Sequence, residues 1–477
     1  MNDKNKEYLD KILRQFHSLI DFYRMEYDEE LLPLFLDFGY LLIGRLCRER
    51  RQDVAAKRDY LKMTEEEIEE WICKFREGIR AETRTSDLYR RIFAYQLFVG
   101  KPSILRQILQ TLEMFLDVCD KIEDEEFFYE AIREIYELCI YHKRNSERYV
   151  LPDFYVKIFA GILDLEKSPD RNGENLSVLD TQAGAGTVLI AAGKYWPKAM
   201  LYGYEEDRQM QMGAEILSIL SGKRIHLTDR KFLPEGTEKV YDIVFANPPF
   251  TKEKCSSAIQ SQMPLPIQTV YGLSLVQSML AVRKEGMAVL IVPDSFLFST
   301  KVEFVNIRKW MYKKYSIEAV ISLPPNTFHF NSSVKSSVLI VKNSSSQPEF
   351  FMREEEWKKE HPYLFFYDLE AESNGNLVDI WNQRDYLFNE WRDQTENFLE
   401  NYNLIRTPGN WKLQELWFAD EETLTASGWN LLPAYYKPAK GQVLEFEDAE
   451  EVLKELIQKQ EKLLSDMKEL LLEVCDL

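Results

Sequence analysis

The sequence predicts an α/β protein: a doubly wound sheet with an antiparallel edge strand, preceded by an all-helical region and followed by a helical tail. Three observations carry this. Residues 1–145 repeat apolar side chains at intervals of three and four, with no strand-like alternation. Between 146 and 345, short β-branched runs alternate with helical stretches, as parallel strands joined by right-handed crossovers require. From Leu453 to Val474 the apolar residues form a heptad seam. The expected division is 1–145 helical, 146–345 α/β, 346–440 mixed and weakly assigned, and 441–477 a heptad helix.

In the first region the helical period is plain in Tyr8, Ile12, Phe16 and Ile20, and again in Ile108, Leu112, Phe115, Cys119 and Ile122. Two basic clusters sit here: Arg45, Arg48, Arg50, Arg51, Lys57 and Arg58, then Arg80, Arg84, Arg90 and Arg91. They read either as solvated helix faces or as a local patch for a polyanion. In the middle region the expected strands are Leu176–Asp180, Met200–Glu205, Ile225–Thr228, Ile243–Asn247, Ala288–Pro293, Ile317–Leu323 and Val334–Val341. The last two are joined by Pro324–Ser333, too short for a crossover helix, so they are expected to pair antiparallel at one edge. Residues 349–440 mix aromatics and charge without a clean period. In the tail, Leu453, Ile457, Gln460, Leu464, Met467, Leu471 and Val474 keep a 4-3-4-3 spacing, and 441–477 carries 11 acidic and 4 basic residues. Such a narrow seam fits a helix packed on its own protein or docked on a partner's helix.

Composition narrows the function. With 60 Lys+Arg against 79 Asp+Glu the net charge is −19 over 477 residues, and 45% of residues are hydrophobic. That is globular composition. A chain gripping nucleic acid unaided usually has a basic surplus, so any such role requires local basic residues or a partner that supplies them. The apolar run Leu31–Leu46 is broken by Pro33, Asp37 and Arg45, short of the roughly 18 uninterrupted residues a membrane span needs. The polar start Met1–Lys6 does not resemble a signal peptide. Six cysteines without a CxxC pair point to reduced thiols, with no zinc site and no disulfide framework. A soluble, cytoplasmic protein with no membrane attachment is expected.

The chemistry concentrates in the middle region. Asp180 ends the first strand, and the turn Thr181-Gln182-Ala183-Gly184-Ala185-Gly186 opens a helix. Glycines there let the backbone turn sharply and let a ligand approach. Leu189 stands where a dinucleotide fingerprint has its third glycine, and Asp180 suits a ligand amine better than a pyrophosphate. Glu205, 19 residues after Gly186, ends the second strand, where it can accept from a ribose diol. Asp229, after the third strand, can accept from an adenine amino group or cap a helix.

The sharpest signal is Asn247-Pro248-Pro249-Phe250. Two prolines after a hydrophobic strand hold the chain extended and leave the carbonyls of Asn247 and Pro248 free to accept. An exocyclic amine is a poor nucleophile because its lone pair is delocalised into the ring. Two acceptors, the Asn247 side-chain oxygen and the Pro248 carbonyl, would hold its hydrogens and favour a pyramidal nitrogen. Phe250 could stack on an extruded base.

These motifs, with Gly272–Leu280, Lys284–Phe298, Ile307-Arg308, Ala319–Pro324 and Ser336–Lys342, resemble the N6-adenine DNA methyltransferases, most closely the methylation (M) subunits of type I restriction-modification systems. The order, cofactor turn before Asn-Pro-Pro-Phe, is also that family's. Gly428–Tyr436 more loosely resembles its segment before the C-terminal helices. The resemblance implies a Rossmann-like fold and S-adenosylmethionine (SAM) as cofactor, with no metal. Asp180, Gly184 and Gly186 would hold the methionine end, Glu205 the ribose and Asp229 the adenine. Pro152, in Tyr149-Val150-Leu151-Pro152, matches the proline of the family's aromatic-Thr-Pro segment near the cofactor. Asn247, Pro248 and Phe250 would hold the target base. The implied partners are double-stranded DNA, a specificity (S) subunit, a second M subunit and a restriction (R) subunit.

The chain departs from the family at three places: Thr181 replaces a proline, Ala185 removes a hydroxyl, and Leu151 stands where threonine is expected. Two other readings stay open, the first of them motivated by these departures. One is a scaffold that binds SAM or DNA without catalysis. The other is a relative acting on RNA adenine or a protein glutamine amide. No Pro-Cys dipeptide occurs, which argues against a cytosine-C5 mechanism with a thiolate nucleophile.

Overall fold

The computed structural model describes residues 3–27, 30–49, 60–80, 101–122, 124–140, 151–165, 176–229, 240–251, 253–256, 260, 262–325, 327, 334–343, 363–369, 377–390 and 416–437. The heptad seam, and Arg50, Arg51, Lys57, Arg58, Arg84, Arg90 and Arg91 of the basic clusters, lie outside them.

The chain begins in helices: α1 (Asp3–Glu26), α2 (Leu32–Glu49), α3 (Glu65–Arg80), α4 (Pro102–Cys119) and α5 (Glu125–Ile140). In α1 the stripe Ile12, Phe16, Leu19, Ile20 and Tyr23 is buried, as its period demands. Helix α2 buries almost every residue from Leu31 to Ile43, because it is enclosed by other helices. Proline at the first turn opens α4, where the missing N–H would have no partner in any case. Arg45, from the first basic cluster, turns inward to Glu113 at 3.5 Å.

Then α6 (Asp153–Leu165) leads into the sheet. Its strands are β1 (Ser177–Asp180), β2 (Met200–Glu205), β3 (Ile225–Asp229), β4 (Tyr241–Ala246), β5 (Val282–Pro293), β6 (Ser316–Ser322), β7 (Ser336–Lys342), β8 (Tyr363–Asp368) and β9 (Leu416–Asp420). They lie in the order β3-β2-β1-β4-β5-β7-β6-β8-β9. The first five are parallel neighbours. Strand β7 runs antiparallel to both β5 and β6, as the short connection requires. The sheet then continues through β8, parallel to β6, and ends on β9, antiparallel to β8. Both lie in the stretch whose sequence has no clean period.

Helices α7 (Thr187–Tyr195), α8 (Arg208–Leu220), α9 (Val270–Ala281), α10 (Asp294–Phe298) and α11 (Val302–Lys314) join the strands. Asp207 caps α8 by accepting from the Gln209 and Met210 amides, and Thr269 caps α9 by accepting from Gly272. The N-terminal helices dock on α8: α2 and α5 pack against it, and the Tyr136 hydroxyl meets Met210 Sδ at 3.6 Å. At the amino ends of the central strands, Asp242 on β4 accepts from the Ser177 amide and hydroxyl and pairs with Arg283 on β5. That lock fixes the register of β1, β4 and β5, and so the relative heights of everything at their carboxyl ends.

Candidate active site at the carboxyl ends of the central strands

The strand order reverses between β1 and β4. Outside the carboxyl ends at such a reversal the connecting loops diverge and leave a crevice. Here Asp180 is in register with Gly203 on β2 and Phe245 on β4. The turn after β1 and the Asn-Pro-Pro-Phe segment after β4 are therefore neighbours, joined by the Thr181 amide donating to the Phe245 carbonyl at 3.1 Å.

The turn is shaped by its glycines. Gly184 and Gly186 have φ of 53° and 72°, a region where a side chain is strained. A Cβ on Gly186 would also lie 2.9 Å from Ile225. Asp180 is 4% exposed and accepts from the Gln182 amide at 3.1 Å. Burial pushes its pKa up to about 7; the neighbouring Glu205 adds to the rise, and the Gln182 N–H opposes it. Glu205 Oε2 accepts from the Gly184 amide at 2.9 Å, and its Oε1 from the Asp207 amide at 2.8 Å. Burial raises its pKa as well. The carboxylate, which the Glu206 amide also approaches, keeps capacity to accept from a ligand hydroxyl. Asp229 is exposed and faces Glu205 in the β2–β3 register.

Asn247 and Phe250 are half-buried and Pro248 is buried. Phe250 packs edge-on against Tyr271 at 6.0 Å, and Tyr271 meets Phe296 at 5.9 Å and Phe304 at 6.0 Å. Among the described residues the buried Tyr271 hydroxyl has no hydrogen-bond partner. This aromatic wall continues the face offered by Phe250. Pro152 enters by a different route, opening α6, which packs against α7 behind the turn.

Two features here escaped sequence reasoning. The first is the aromatic wall, whose members come from three separate stretches with no common motif. The second is Arg308. It is 1% exposed and donates to the carbonyls of Phe296 at 2.5 Å, Ser299 at 2.8 Å and Trp429 at 2.7 Å. An arginine inside the period of an α/β helix, as in Ile307-Arg308, was its signal. Thr181 also gains an explanation. Its hydroxyl stands 2.9 Å from that of Ser278 on α9 and 2.8 Å from Gln182 Oε1, so the turn is tied down by hydrogen bonds.

The cradle fits a ligand that brings a cation and several donors. Asp180 is a buried carboxylate whose charge a ligand ammonium would balance, and Glu205 can accept from ligand hydroxyls. Among the described residues no group of three or more His, Cys, Asp or Glu could hold a metal ion, and no helix is long and apolar enough to cross a membrane.

The family model described as N-6 DNA Methylase matches residues 129–402, more than half of the chain. The chain belongs to the N-6 DNA methylase family. Among solved structures, the fold of this methylase is similar to the type I restriction-modification system methyltransferase subunit from Streptococcus thermophilus. The TM-score is 0.62 and the identity 15%, covering 91% of this chain and 99% of that one. It is also similar to a chain from a study of complex assembly and conformational transition in the type I restriction-modification system. There the TM-score is 0.56 and the identity 15%, covering 98% of each chain. Comparison with curated proteins gave no match. A methylase of this family, with the fold of type I M subunits, is thus the frame for the site.

Proposed function

We propose that the chain is the methylation subunit of a type I restriction-modification system. It transfers a methyl group from SAM to N6 of an adenine turned out of double-stranded DNA, and a separate specificity subunit chooses the sequence. The observation that supports this most is the Thr181–Phe245 contact, which sets the turn after β1 beside Asn247-Pro248-Pro249-Phe250.

In this reading Asp180 takes the ammonium of the methionine end, the Gly184–Gly186 turn lies against it, Glu205 accepts from the ribose hydroxyls and Asp229 from the adenine amine. Pro152, just ahead of α6, would approach the same ligand from the far side of the turn. SAM, when bound, supplies a methyl group on a sulfonium that is already reactive, so the protein's task is positioning. The Asn247 side-chain oxygen and the Pro248 carbonyl accept the two N6 hydrogens. That withdraws the nitrogen lone pair from the ring and turns it toward the methyl carbon. Held by these two acceptors, N6 would take the methyl group that the sulfonium supplies, and its surplus proton would leave to water. Phe250 stacks on the base and keeps it out of the duplex.

The domain division 1–145, 146–345, 346–440 and 441–477 belongs to this reading, with the tail docking on the specificity subunit. So do a second M subunit, a restriction subunit and a cytoplasmic location. The test is methyl transfer from labelled SAM by the co-expressed complex, offered DNA, RNA and protein in parallel. Label in DNA at N6 of adenine, absent with Asn247→Ala, supports it. Label in RNA or protein alone, or activity unchanged by Asn247→Ala, overturns it.

A further inference from the structure

Ten large apolar side chains are exposed among the described residues, and three of them gather at the carboxyl end of β5. Phe298 (50% exposed) ends α10, Val302 (75%) begins α11, and Val334 (45%) lies two residues ahead of β7. They share one rim because β5 and β7 are antiparallel: Pro293 pairs with Ser336, and the Asp294 amide donates to the Lys335 carbonyl at 2.9 Å. Isolated apolar residues on a surface are ordinary; a cluster beside a candidate active site is not.

The rim's charge is sorted. Lys301 and Lys335 are exposed. Among the described residues, Asp294 and Glu303 face inward, and Asp368 beyond them is paired with Lys437. Asp294 accepts from the Ser337 hydroxyl at 2.7 Å, and Glu303 accepts from the amides of Gln268 and Thr269 and from the Thr269 hydroxyl. In a chain of net charge −19, this edge shows its cations and turns its anions away.

The rim is also stiff and continuous with the site. Arg308 holds the Phe296 and Ser299 carbonyls on either side of Phe298, and the Leu431 amide donates to the Leu297 carbonyl at 3.0 Å. Phe296 and Phe304 belong to the aromatic wall that ends at Phe250, and Lys301 Nζ lies 5.7 Å from the Phe304 ring centre.

We infer that this rim, Phe298, Lys301, Val302, Val334 and Lys335, is the surface that grips and opens duplex DNA next to the target adenine. Lys301 and Lys335 neutralise backbone phosphates, which fix register without reading sequence. Phe298 and Val302 enter the stack and occupy space that the extruded base leaves, as apolar wedges do when they unstack a base step. A rigid backbone is what such a wedge requires, since a mobile one would yield instead of the DNA. The inference rests on the DNA-methylase reading above.

The experiment uses the complex co-expressed with its partner subunits. Its motif is read from modification-sensitive sequencing, and it is then assayed on oligonucleotides carrying the target adenine either paired or mispaired. Phe298→Ala with Val302→Ala should lower kcat on the paired duplex about tenfold and regain most of it on the mispaired one, where opening costs less. Lys301→Ala with Lys335→Ala should leave kcat near wild type, raise KM for DNA, and reduce the salt slope of DNA binding by about two. Variants equal to wild type on both duplexes, or wedge losses identical on paired and mispaired DNA, would overturn the inference while the methylase reading stands. A wild-type complex that leaves no N6-methyladenine would overturn that reading itself, and the inference with it.

Discussion

Glu205 at the end of β2 holds Gly184 in the turn after β1, the carboxylate accepting the glycine amide at 2.9 Å. One side chain from the second strand thus holds the backbone of the turn after the first. Glu205→Ala would remove that support together with the proposed ribose acceptors. Two hydrogen bonds to a charged group at about 1.5–3 kcal/mol each set the upper end of the loss, and partial compensation by water the lower. SAM affinity should fall about ten- to ten-thousandfold by calorimetry. Unchanged affinity would place the cofactor elsewhere.

Asp180 gives the site a pH signature. Its folded pKa of about 7 lies above the ordinary carboxylate value, so the folded chain binds a proton that the unfolded chain releases. The stability tied to this group is therefore fully present below about pH 4 and is lost as pH rises toward 7. Urea unfolding of Asp180→Asn, compared with wild type from pH 4.5 to 8, should show a shallower decline with pH. A bound ammonium reverses the preference, so SAM affinity of the wild type should tighten from pH 6 to 8. Parallel pH profiles for variant and wild type would contradict this assignment.

Arg308 predicts a stability effect. Arg308→Met leaves the carbonyls of Phe296, Ser299 and Trp429 buried without their donor. An unsatisfied buried acceptor costs about 1–3 kcal/mol, so the variant should lose at least about 2 kcal/mol in denaturant unfolding. Arg308→Lys, with one compact ammonium for a fork, should recover only part of that. A neutral Arg308→Met would show that the carbonyls find other donors.

How much of this was legible in the sequence depended on whether a feature was local. Met200–Glu205 was bounded correctly because an apolar run ends in a carboxylate, and the Gly184–Gly186 turn was visible because only glycine accepts its φ values. The β6–β7 pairing followed from the shortness of one loop. Strands β8 and β9 were not legible. Residues such as Phe365, Trp417 and Phe418 are buried on a sheet that forms only when β6 is in place, so their pattern records long-range packing and no period of its own. The aromatic wall around Tyr271 and the Arg308 staple were hidden for the same reason: their partners are far apart in sequence. The inward turn of Arg45 to Glu113 likewise shows that a basic cluster in sequence need not be a basic surface.

The C-terminal heptad, outside the described residues, carries its own test. Removing residues 450–477 should abolish co-purification with the specificity subunit and leave SAM affinity as it was. A complex that survives the deletion would assign docking to another surface.

The central claim is adenine-N6 methylation of DNA at the Asn247 site. It is tested most directly by modification-sensitive long-read sequencing of DNA from cells expressing the chain with its partner subunits, beside an Asn247→Ala control. The methylase reading predicts N6-methyladenine at one motif in the wild type and its loss in the control. The same unmarked DNA in both, with the complex assembled, would contradict it.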